Sequence, residues 1–429
     1  MKSSHFVLTT LGSLGDLHPY IAVGLGLRER GHAVTIATSE VYRPKVEGEG
    51  LRFAPVRPDL AHLLDNSEVM REAVHPRKGT EYVVRRLFLP FVEQSFEDTL
   101  AAARDADLLV GHPIAFATPT AAEYLNKPWV SVALQPSILL SAFDPPAISG
   151  APFLTPLLSL GPPVARAFFR LVIQASRQWG KPLNELRARL NMPKLRNPLM
   201  FGDGSPLGTQ GWFSKVLATP QPDWPARTTI TGFPFYDKLE PGHGLTPELH
   251  RFLDEGPPPI VFTLGSSAVF DAGNFYSESL AAVTKTGHRA VLLVGRDARN
   301  IPSTPLPPGV ILAEYAPYSE LLPRAAATVH QGGVGTTAQA LRSGKPMIVV
   351  PWSHDQPDNA MRVRKLGVAR VIPRGKYRAP HVASEIALLL SEERSADAAR
   401  SVAFEMGRED GVAAACAGLE AALSETRRL

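Results

Sequence analysis

A glycine-rich stretch in the second half of the chain has the composition of a phosphate-binding loop. His330 ends an apolar run, and Gln331-Gly332-Gly333-Val334-Gly335-Thr336 leads from it into a helical pattern. Backbone N–H groups at the start of a helix, with no side chains in the way, form a site for phosphate. His330 at the strand end can donate a hydrogen bond to the same phosphate. The alternative is a tight turn that uses glycine for its geometry alone. The predicted phosphate ligands in the loop are Gly332, Gly333, Gly335 and Thr336.

A polar loop follows the next apolar run and strengthens the phosphate interpretation. It contains Asp355 and Gln356, whose side chains offer acceptors and donors suited to sugar hydroxyl groups. In a parallel sheet both loops emerge at the carboxyl edge, where ligands bind. The two loops together therefore predict a site for a ligand that carries both phosphate and sugar.

The elements that position these loops alternate between strand and helix in two separate blocks. The first block predicts a strand over 5–10, a glycine turn, a helix over about 19–30 and a strand over 33–38. Short apolar strands of this kind are typical of a parallel sheet covered on both faces. The pattern continues with predicted strands at 107–111, 129–134, 260–264, 290–294, 310–314, 327–330 and 347–351.

Two such blocks predict an α/β fold with two doubly wound, Rossmann-like parallel-sheet domains that face each other across a cleft. The first domain is expected over 1–219, with an apolar, proline-broken insertion at about 143–206. A linker rich in proline and glycine follows at 220–244. The second domain is expected over 245–429, with the option that its final helix packs back on the first domain.

Composition excludes several classes of protein. Lys and Arg number 45 against 41 Asp and Glu, a small and scattered excess that indicates an ordinary mixed surface rather than a nucleic-acid-binding protein. Cys416 is the single cysteine, so no internal disulfide and no cysteine zinc site can form. No apolar run approaches the length of a membrane span, and the N-terminus lacks the pattern of a secretion signal. We expect a soluble cytoplasmic protein of unknown oligomeric state, with peripheral membrane contact left open.

The motifs of the two loops resemble the donor-binding signature of inverting, nucleotide-sugar-dependent glycosyltransferases with the GT-B fold. This family contains plant, antibiotic and sterol enzymes. Further pieces, spread over both domains, are most similar to those of rhamnolipid rhamnosyltransferases. These pieces are Gly12-Ser13-Leu14-Gly15-Asp16, Asp223-Trp224-Pro225, Thr231-Gly232-Phe233-Pro234, Val261-Phe262-Thr263-Leu264-Gly265-Ser266 and Tyr315-Ala316-Pro317.

The resemblance implies roles for the donor-site residues. His330 would contact the pyrophosphate, and Ser266 would reach the phosphates from the first loop of the second domain. Asp355 and Gln356 would hold the transferred sugar. Tyr315 would stack on the nucleobase, because a tyrosine still offers a flat face.

Two positions depart from the pattern of the plant enzymes. Ala338 stands where those enzymes carry a glutamate that binds the ribose hydroxyls, and Tyr318 replaces a glutamine that helps to read uracil. Loss of the ribose carboxylate favours a dTDP-linked donor, whose deoxyribose lacks the 2′-hydroxyl. UDP stays open, because sterol glycosyltransferases also lack this glutamate.

The resemblance also implies the base. Asp16 lies where related enzymes carry the group that takes the proton from the acceptor hydroxyl. The alternative for Asp16 is a helix N-cap just before Pro19. His18 is the rival base, because an imidazole titrates near neutrality unaided. His112 lies near where plant enzymes place a supporting aspartate, so it could support Asp16, although a buried turn histidine is the simpler interpretation.

No metal and no cofactor beyond the nucleotide sugar are expected. Asp105-Ala106-Asp107 matches a DxD pattern that holds metal in a different glycosyltransferase fold, but here it precedes its strand, at the wrong edge of the sheet. The phosphate loop would supply the charge stabilisation that the leaving diphosphate needs.

The apolar insertion favours a lipophilic acceptor. Its apolar residues include Phe143, Phe153, Leu157, Phe169 and Leu171, part of which is expected to be plain core. We therefore expect transfer of rhamnose or glucose from a dTDP- or UDP-sugar to a hydroxyl of a lipophilic small molecule. The alternatives are a UDP-glucose-dependent enzyme for flavonoid, sterol or macrolide acceptors, a sugar-nucleotide epimerase, and a non-catalytic sugar-nucleotide-binding subunit.

Overall fold

The computed structural model describes residues 3–61, 66–199, 205–237 and 244–427. The chain divides into two compact units. The first comprises Met1–Ala73, Lys78–Tyr236 and Glu409–Leu429, and the second comprises Val74–Arg77 and Asp237–Arg408. Each unit contains one parallel sheet covered by helices, which confirms the predicted α/β class.

The sheet of the first unit has seven parallel strands in the order β3-β2-β1-β4-β5-β6-β7. Its central strands are apolar and fully buried because helices cover both faces. The strands are β1 (His5–Thr9), β2 (Ala33–Thr38), β3 (Arg52–Pro55), β4 (Leu108–Gly111), β5 (Trp129–Ala133), β6 (Thr209–Gly211) and β7 (Thr228–Ile230).

The strand order of this sheet reverses next to β1. Strand β1 pairs with β2 on one side and with β4 on the other, so the chain leaves β1 and β4 in opposite directions. The loops that follow these two strands therefore open a crevice at the carboxyl edge of the sheet. Asp16 follows β1 and His112 follows β4, so the topology brings both candidates to this point.

The first helix begins earlier than the sequence pattern predicts. Helix α1 spans Leu14–Glu29 and not 19–30, because the Ser13 side chain caps it and accepts a hydrogen bond from the Gly15 N–H. Pro19 consequently lies inside the helix. The other helices of this unit up to the insertion are α2 (Arg43–Gly48), α3 (Ser67–Ala73), α4 (Gly79–Tyr82), α5 (Val92–Ala103) and α6 (Ala117–Tyr124).

The insertion forms three helices with a small core of their own. They are α7 (Thr155–Leu158), α8 (Pro162–Ser176) and α9 (Lys181–Arg189). Ala142, Leu158, Ala165 and Phe169 are buried together, apart from the main core of the unit. Residues 200–204, near the predicted end of the insertion, lie outside the described residues.

The second sheet has six parallel strands in the order β10-β9-β8-β11-β12-β13. Its order reverses next to β8, which pairs with β9 and β11, so the loops after β8 and β11 open a second crevice. The strands are β8 (Ile260–Thr263), β9 (Ala290–Leu293), β10 (Val310–Ala313), β11 (Ala327–His330), β12 (Met347–Val349) and β13 (Ala369–Val371). The helices are α10 (Pro247–Asp254), α11 (Phe275–Thr286), α12 (Tyr318–Leu321), α13 (Val334–Arg342), α14 (Gln356–Lys365), α15 (Ala379–Ser391) and α16 (Glu393–Met406).

Two boundaries differ from the predicted domain limits. Residues 409–429 are predicted within the second domain, with the option that the final helix packs back on the first. They belong to the first unit, because helix α17 (Gly411–Thr426) packs on α1 as that option expects. Much of the predicted linker 220–244 also belongs to the first unit, because Thr228–Ile230 pairs with β6 as the edge strand. Residues 238–243 lie outside the described residues.

A buried ion-pair cluster fixes the final helix in the first unit. Glu420 accepts from Arg30 Nη1 at 2.8 Å and faces His32 Nε2 at 3.0 Å, and its side chain is 8% exposed. Removal of one partner of such a cluster leaves a buried charge uncompensated. In the described parts of the chain, we find no helix that is both long and apolar enough to cross a membrane.

Gly26 lies where α1 meets α17, and we expect Gly26→Ala to destabilise the protein. A Cβ there would lie 2.6 Å from Val412 Cγ1, closer than packed side chains allow. The clash should cost about 1–3 kcal/mol, although alanine ordinarily improves a helix interior. Gly48→Ala in α2 is the matched control, because its Cβ would meet nothing within 4 Å. Urea unfolding should show a loss for the first variant and a gain of about 0.5–1 kcal/mol for the second. Equal gains would contradict the packing.

Candidate active site

Asp16 occupies the third position of α1 and completes a capping box. Its Oδ2 accepts from the Ser13 N–H at 2.7 Å and from the Ser13 hydroxyl at 3.1 Å. The carboxylate therefore satisfies a backbone donor just before the helix starts. The predicted alternative, that Asp16 is itself the N-cap, is corrected, because the cap is Ser13.

The structure brings His112 and Asp16 together. His112 Nε2 lies 3.4 Å from Asp16 Oδ1, and the imidazole is buried whereas about a third of the Asp16 side chain is exposed. The Ile114 N–H points to His112 Nδ1 at 3.5 Å, which leaves Nε2 to carry the proton that faces the carboxylate. The edge of the Tyr20 ring packs against the imidazole at 5.8 Å.

These contacts keep the Asp16 carboxyl ionised. Burial acts to raise its pKa, but the hydrogen bond and charge of His112 and the hydrogen bonds from Ser13 outweigh burial and lower the pKa below its usual value. Asp16 is therefore a carboxylate at neutral pH. Its charge also contributes to the raised pKa of the buried Tyr20 hydroxyl, after the larger effect of burial.

Gly12 and Tyr42 fix the turn next to the Asp16 carboxylate. Gly12 has a φ of +120°, and a Cβ on it would lie 2.4 Å from Asp16 Oδ2. The Tyr42 hydroxyl donates to the Gly12 carbonyl at 2.9 Å. Only glycine leaves room for Asp16 in this position, and Tyr42 fixes the backbone that makes the room.

His18, the rival base, lies two residues further along α1. Its ring packs at a tilt against Tyr236, with ring centres 5.0 Å apart. Tyr236 in turn donates to Glu49 Oε1 at 2.5 Å. His18 is thus part of a packed aromatic contact, and it is His112 that the structure places against Asp16.

In the second unit, the His330 side chain accepts a hydrogen bond from the backbone of the glycine loop. Its ring is fully buried, Nδ1 accepts from the Gly332 N–H at 3.0 Å, and Nε2 lies 3.3 Å from Met347 Sδ. We predicted a hydrogen bond from His330 to phosphate, but in this orientation both ring nitrogens face protein atoms. Burial lowers the pKa of His330 to about 3, so the ring is neutral.

The glycine loop itself has the geometry of a phosphate site. Gly332 has a φ of +89°, and a Cβ on it would lie 2.7 Å from Val349 Cγ1. Gly333 caps α13, and Gly335 and Thr336 lie in its first turn, where backbone N–H groups have no helical acceptor. The loop is thus a tight turn, and the N–H groups of Gly335 and Thr336 are left without a helical acceptor.

Asp355 and Asn359 brace this loop from the neighbouring strand. Asp355 Oδ2 accepts from the Val334 N–H at 3.1 Å and from Asn359 Nδ2 at 2.6 Å. Asn359 Nδ2 also donates to the Gly332 carbonyl at 2.9 Å. The predicted sugar ligand Asp355 therefore also ties the two loops together.

Gln356 shapes its own loop. Its Oε1 accepts from the Trp352 and Ser353 N–H groups at 2.8 and 3.1 Å. Its Nε2 group has no hydrogen bond within the described parts of the chain, so it can donate to a ligand. The Arg374 guanidinium stacks over the ring of Trp352, which belongs to this loop, at 4.7 Å from the ring centre.

The remaining predicted donor residues lie on the loops after β8 and β10. Ser266 is exposed in the turn after β8, and Tyr315 is 60% exposed after β10. Tyr318 points inward instead. Its hydroxyl lies 2.7 Å from Thr263 Oγ1 and is also hydrogen-bonded to the Thr336 side chain.

Sequence reasoning missed three residues that build these sites. Ser13 belongs to the motif piece that runs from Gly12 to Asp16, and its spacing of three from Asp16 is the signature of a capping box. Asn359 lies one helical turn after Asp355, a spacing that predicts contact. Thr263 ends β8, and the sequence shows it only as one member of the piece that runs from Val261 to Ser266, with no role of its own.

Asp107, the second aspartate of the DxD pattern, is hydrogen-bonded to protein groups within the first unit. Asp107 Oδ2 accepts from the His5 N–H at 2.7 Å, and Oδ1 accepts from Arg427 at 3.2 Å. Burial acts against ionisation, but these donors lower the pKa of Asp107. Within the described ranges, we find no group of three His, Cys, Asp or Glu residues arranged for a metal ion.

Two family models match the chain, one in each unit. Residues 6–129 match the N-terminal domain of glycosyltransferase family 28. Residues 277–416 match the C-terminal domain described as erythromycin biosynthesis protein CIII-like. The first match includes Asp16 and His112, and the second includes the glycine loop and Gln356.

Curated relatives match almost the whole of this chain. The chain is 33% identical over 432 residues to O-mycaminosyltylonolide 6-deoxyallosyltransferase of Streptomyces fradiae, covering 96% of both proteins. It is 28% identical over 446 residues to sterol 3-beta-glucosyltransferase of Neosartorya fischeri, covering 96% of this chain but 29% of that protein. The chain thus spans under a third of the sterol enzyme.

Solved structures share the fold. Spinosyn forosaminyltransferase has a TM-score of 0.72 at 18% identity, covering 99% of this chain and 100% of that one. The glycosyltransferase VinC, solved in complex with dTDP, has a TM-score of 0.69 at 20% identity, covering 98% and 100%. These likenesses and the two doubly wound sheets show the GT-B fold.

The chain belongs to the family of antibiotic and sterol glycosyltransferases, and it is a hexosyltransferase. The resemblance drawn from its motifs is confirmed at this level. The family speaks against the epimerase and the non-catalytic alternatives. The finer similarity to rhamnolipid rhamnosyltransferases stays a prediction.

The neutral, buried state of His330 predicts a pH-dependent stability. Its pKa of about 3 in the folded protein lies below the ordinary value, so the unfolded chain binds more protons between pH 3 and about 6.5. Stability should therefore rise with pH in this window, by at most about 1.4 kcal/mol per pH unit from this group, and level off above it. Thermal unfolding of His330→Gln should show a shallower slope than the wild type.

The matched control for this experiment is His250→Gln, because the His250 side chain is 57% exposed. Its slope should stay close to that of the wild type. Parallel curves for the wild type and His330→Gln would contradict the assignment of a buried neutral ring.

Proposed function

We propose that this enzyme transfers a 6-deoxyhexose, such as rhamnose, from a dTDP-linked donor to a hydroxyl of a lipophilic small molecule, with inversion at the sugar carbon. The observation that carries the proposal is the ionised Asp16 carboxylate. It lies where the strand order of the first sheet reverses, and His112 contacts its Oδ1. Inverting transfer needs one such base, because the attacking hydroxyl must lose its proton as the sugar carbon becomes oxocarbenium-like.

The hydrogen bonds of Asp16 leave one acceptor position of the carboxylate for this proton. A carboxylate has about four acceptor positions. Ser13 occupies two on Oδ2, and His112 occupies one on Oδ1. The remaining position on Oδ1 would accept the proton of the acceptor hydroxyl. His112 then donates to the same oxygen and holds the carboxyl in place.

The leaving nucleoside diphosphate would be stabilised by the glycine loop. The first-turn amides at Gly335 and Thr336 and the positive end of α13 attract the charge that develops on the β-phosphate. His330 contributes by fixing the Gly332 amide rather than by touching phosphate. Because these donors supply the stabilisation, we propose that the reaction needs no metal ion and no cofactor, and EDTA should leave turnover unchanged.

The choice of donor rests on three supports. The Streptomyces fradiae relative, which matches 96% of this chain, is named as a 6-deoxyallosyltransferase, and a 6-deoxy sugar lacks the 6-hydroxyl group that glucose carries. Ala338, buried in α13, offers no carboxylate for a ribose 2′-hydroxyl. VinC, which shares the fold, was solved with dTDP.

The acceptor would be a large, lipophilic alcohol. The same relative is named for O-mycaminosyltylonolide as its substrate, and the sterol relatives are named for sterols. The second candidate is therefore transfer of glucose from UDP-glucose to a sterol-like acceptor, favoured by the match of 96% of this chain to the sterol enzymes.

We expect Asp16→Asn to lower kcat by about 10²–10⁴-fold while donor binding is retained. The amide oxygen still accepts from Ser13, so the capping box survives, but it cannot take a proton. His112→Phe should lower kcat by about 10- to 100-fold, because the carboxylate loses one charged hydrogen bond. Turnover by purified protein and dTDP binding by calorimetry measure the two effects separately.

His18→Gln is the matched control in this series. It replaces an imidazole on the same helix, two residues from Asp16, and should change kcat far less than Asp16→Asn. A collapse of turnover in His18→Gln with unchanged turnover in Asp16→Asn would move the base to His18 and contradict the proposal.

Thermal shift with UDP, dTDP, UDP-glucose and dTDP-rhamnose tests the donor. A ligand that binds only the folded protein raises the midpoint, by roughly 5–10 °C at a hundred times its Kd. We expect the dTDP compounds to give the larger shift. A larger shift with UDP compounds would support the second candidate, and no shift with any compound would contradict the donor site.

A further inference from the structure

The insertion of the first unit carries an exposed apolar surface. Of fifteen large apolar side chains exposed in the described parts of the chain, six lie between residues 143 and 172. We call these residues the insertion surface. A soluble protein rarely leaves several neighbouring large apolar side chains in water unless another surface covers them. The six are Phe143, Phe153, Leu157, Leu160, Leu171 and Val172, with exposed fractions of 43–72%.

Several of these side chains lie on elements that build one small core. Ala142, Leu158, Ala165 and Phe169 are buried together in that core. Phe143 and Leu157 are sequence neighbours of two core members, and α7, which contains Leu157, packs on α8. Leu171 lies on the outer side of α8, away from the buried Ala165 and Phe169. Phe143, Leu157 and Leu171 are therefore exposed residues of the elements that enclose this one core.

Cationic residues outnumber anionic ones around the insertion surface, where Asp144 directly follows Phe143 and Asp223 accepts from the Ala142 N–H. Residues 145–184 contain Arg166, Arg170, Arg177 and Lys181 and no Asp or Glu. The chain has 45 cationic and 41 anionic residues, so these four cations equal its net charge of +4 and the rest of the chain is neutral. Within the described ranges only Lys181 of these four forms an ion pair, with Glu185 at 3.4 Å.

Two of the cations lie within the apolar surface itself. Arg166 and Arg170 are four residues apart on the exposed side of α8, next to Leu171. The Arg166 guanidinium stacks over the Phe143 ring at 5.0 Å. Long basic side chains in such a place lay their stems along apolar groups and hold their charges at the level of a polar boundary.

We propose that the insertion surface docks on an anionic lipid membrane. Exposed aromatic and leucine side chains enter the boundary between headgroups and acyl chains, while arginines bind the lipid phosphates. A second copy of this chain fits poorly, because two such surfaces would bring like charges together. This proposal does not depend on the proposed function, since membrane binding is measured without donor or acceptor.

Co-sedimentation of the full-length protein with vesicles tests this docking. We expect the protein to bind vesicles of phosphatidylcholine mixed with phosphatidylglycerol, to bind phosphatidylcholine alone more weakly, and to dissociate at high salt. Arg166→Ala combined with Arg170→Ala should weaken binding roughly 30-fold, at about five-fold per cation. Phe153→Glu combined with Leu171→Glu should abolish it.

Matched controls lie on α16. Arg394→Ala combined with Arg400→Ala removes the same charge elsewhere, and Phe404→Glu changes a side chain that is 68% exposed, against 72% for Phe153. Both controls should bind as the wild type does. Absence of vesicle binding, or equal losses in controls and surface variants, would overturn the proposal.

The other possible occupants give distinct outcomes. If Phe153→Glu with Leu171→Glu changes the sedimentation coefficient of the protein but not its vesicle binding, the surface joins two copies of the chain. If it raises KM for a soluble acceptor and leaves vesicle binding unchanged, the surface belongs to the acceptor site. Either result would overturn membrane docking, and folding of each variant is checked by its unfolding midpoint.

Discussion

Both units depend on a turn from strand to helix that leaves no room for a side chain. In the first unit Gly12 makes this turn, and in the second Gly332 does, each with a positive φ. A Cβ at Gly12 would collide with the Asp16 carboxylate, and one at Gly332 would collide with Val349. Because each turn lies where the strand order reverses, the same constraint that lets the helix pack on its sheet also brings polar groups to the carboxyl edge.

The carboxylate in the first unit combines a role in folding with the role of base that we propose for it. Asp16 completes the capping box with Ser13, and this contact together with His112 keeps it ionised. A base with a low pKa is a weak proton acceptor in water, but in an oxocarbenium-like transition state the attacking hydroxyl becomes acidic only late. A carboxylate that is fixed and charged is therefore suited to this step, because its position matters more than its intrinsic basicity.

The glycine loop in the second unit is supported by side chains that sequence motifs assign to the ligand. His330 and Asp355 bind the amides of Gly332 and Val334, and Asn359 joins the two loops. Such supporting residues fix backbone donors before any ligand arrives, which is how amides in a polar loop stabilise developing charge without reorganisation. A residue can thus belong to a sequence motif because it supports the loop backbone, and not only because it contacts the ligand.

The sequence by itself determined the two alternating blocks, the parallel sheets and the loops that carry polar groups, because these depend on periodicity and on neighbours along the chain. Only the tertiary structure decided that His112 faces Asp16, that His330 turns inward, and that the final helix joins the first unit through Glu420 and Arg30, which are 390 residues apart. Contacts of this kind depend on which strands pair and how side chains fill the core. No local pattern in the sequence encodes that outcome.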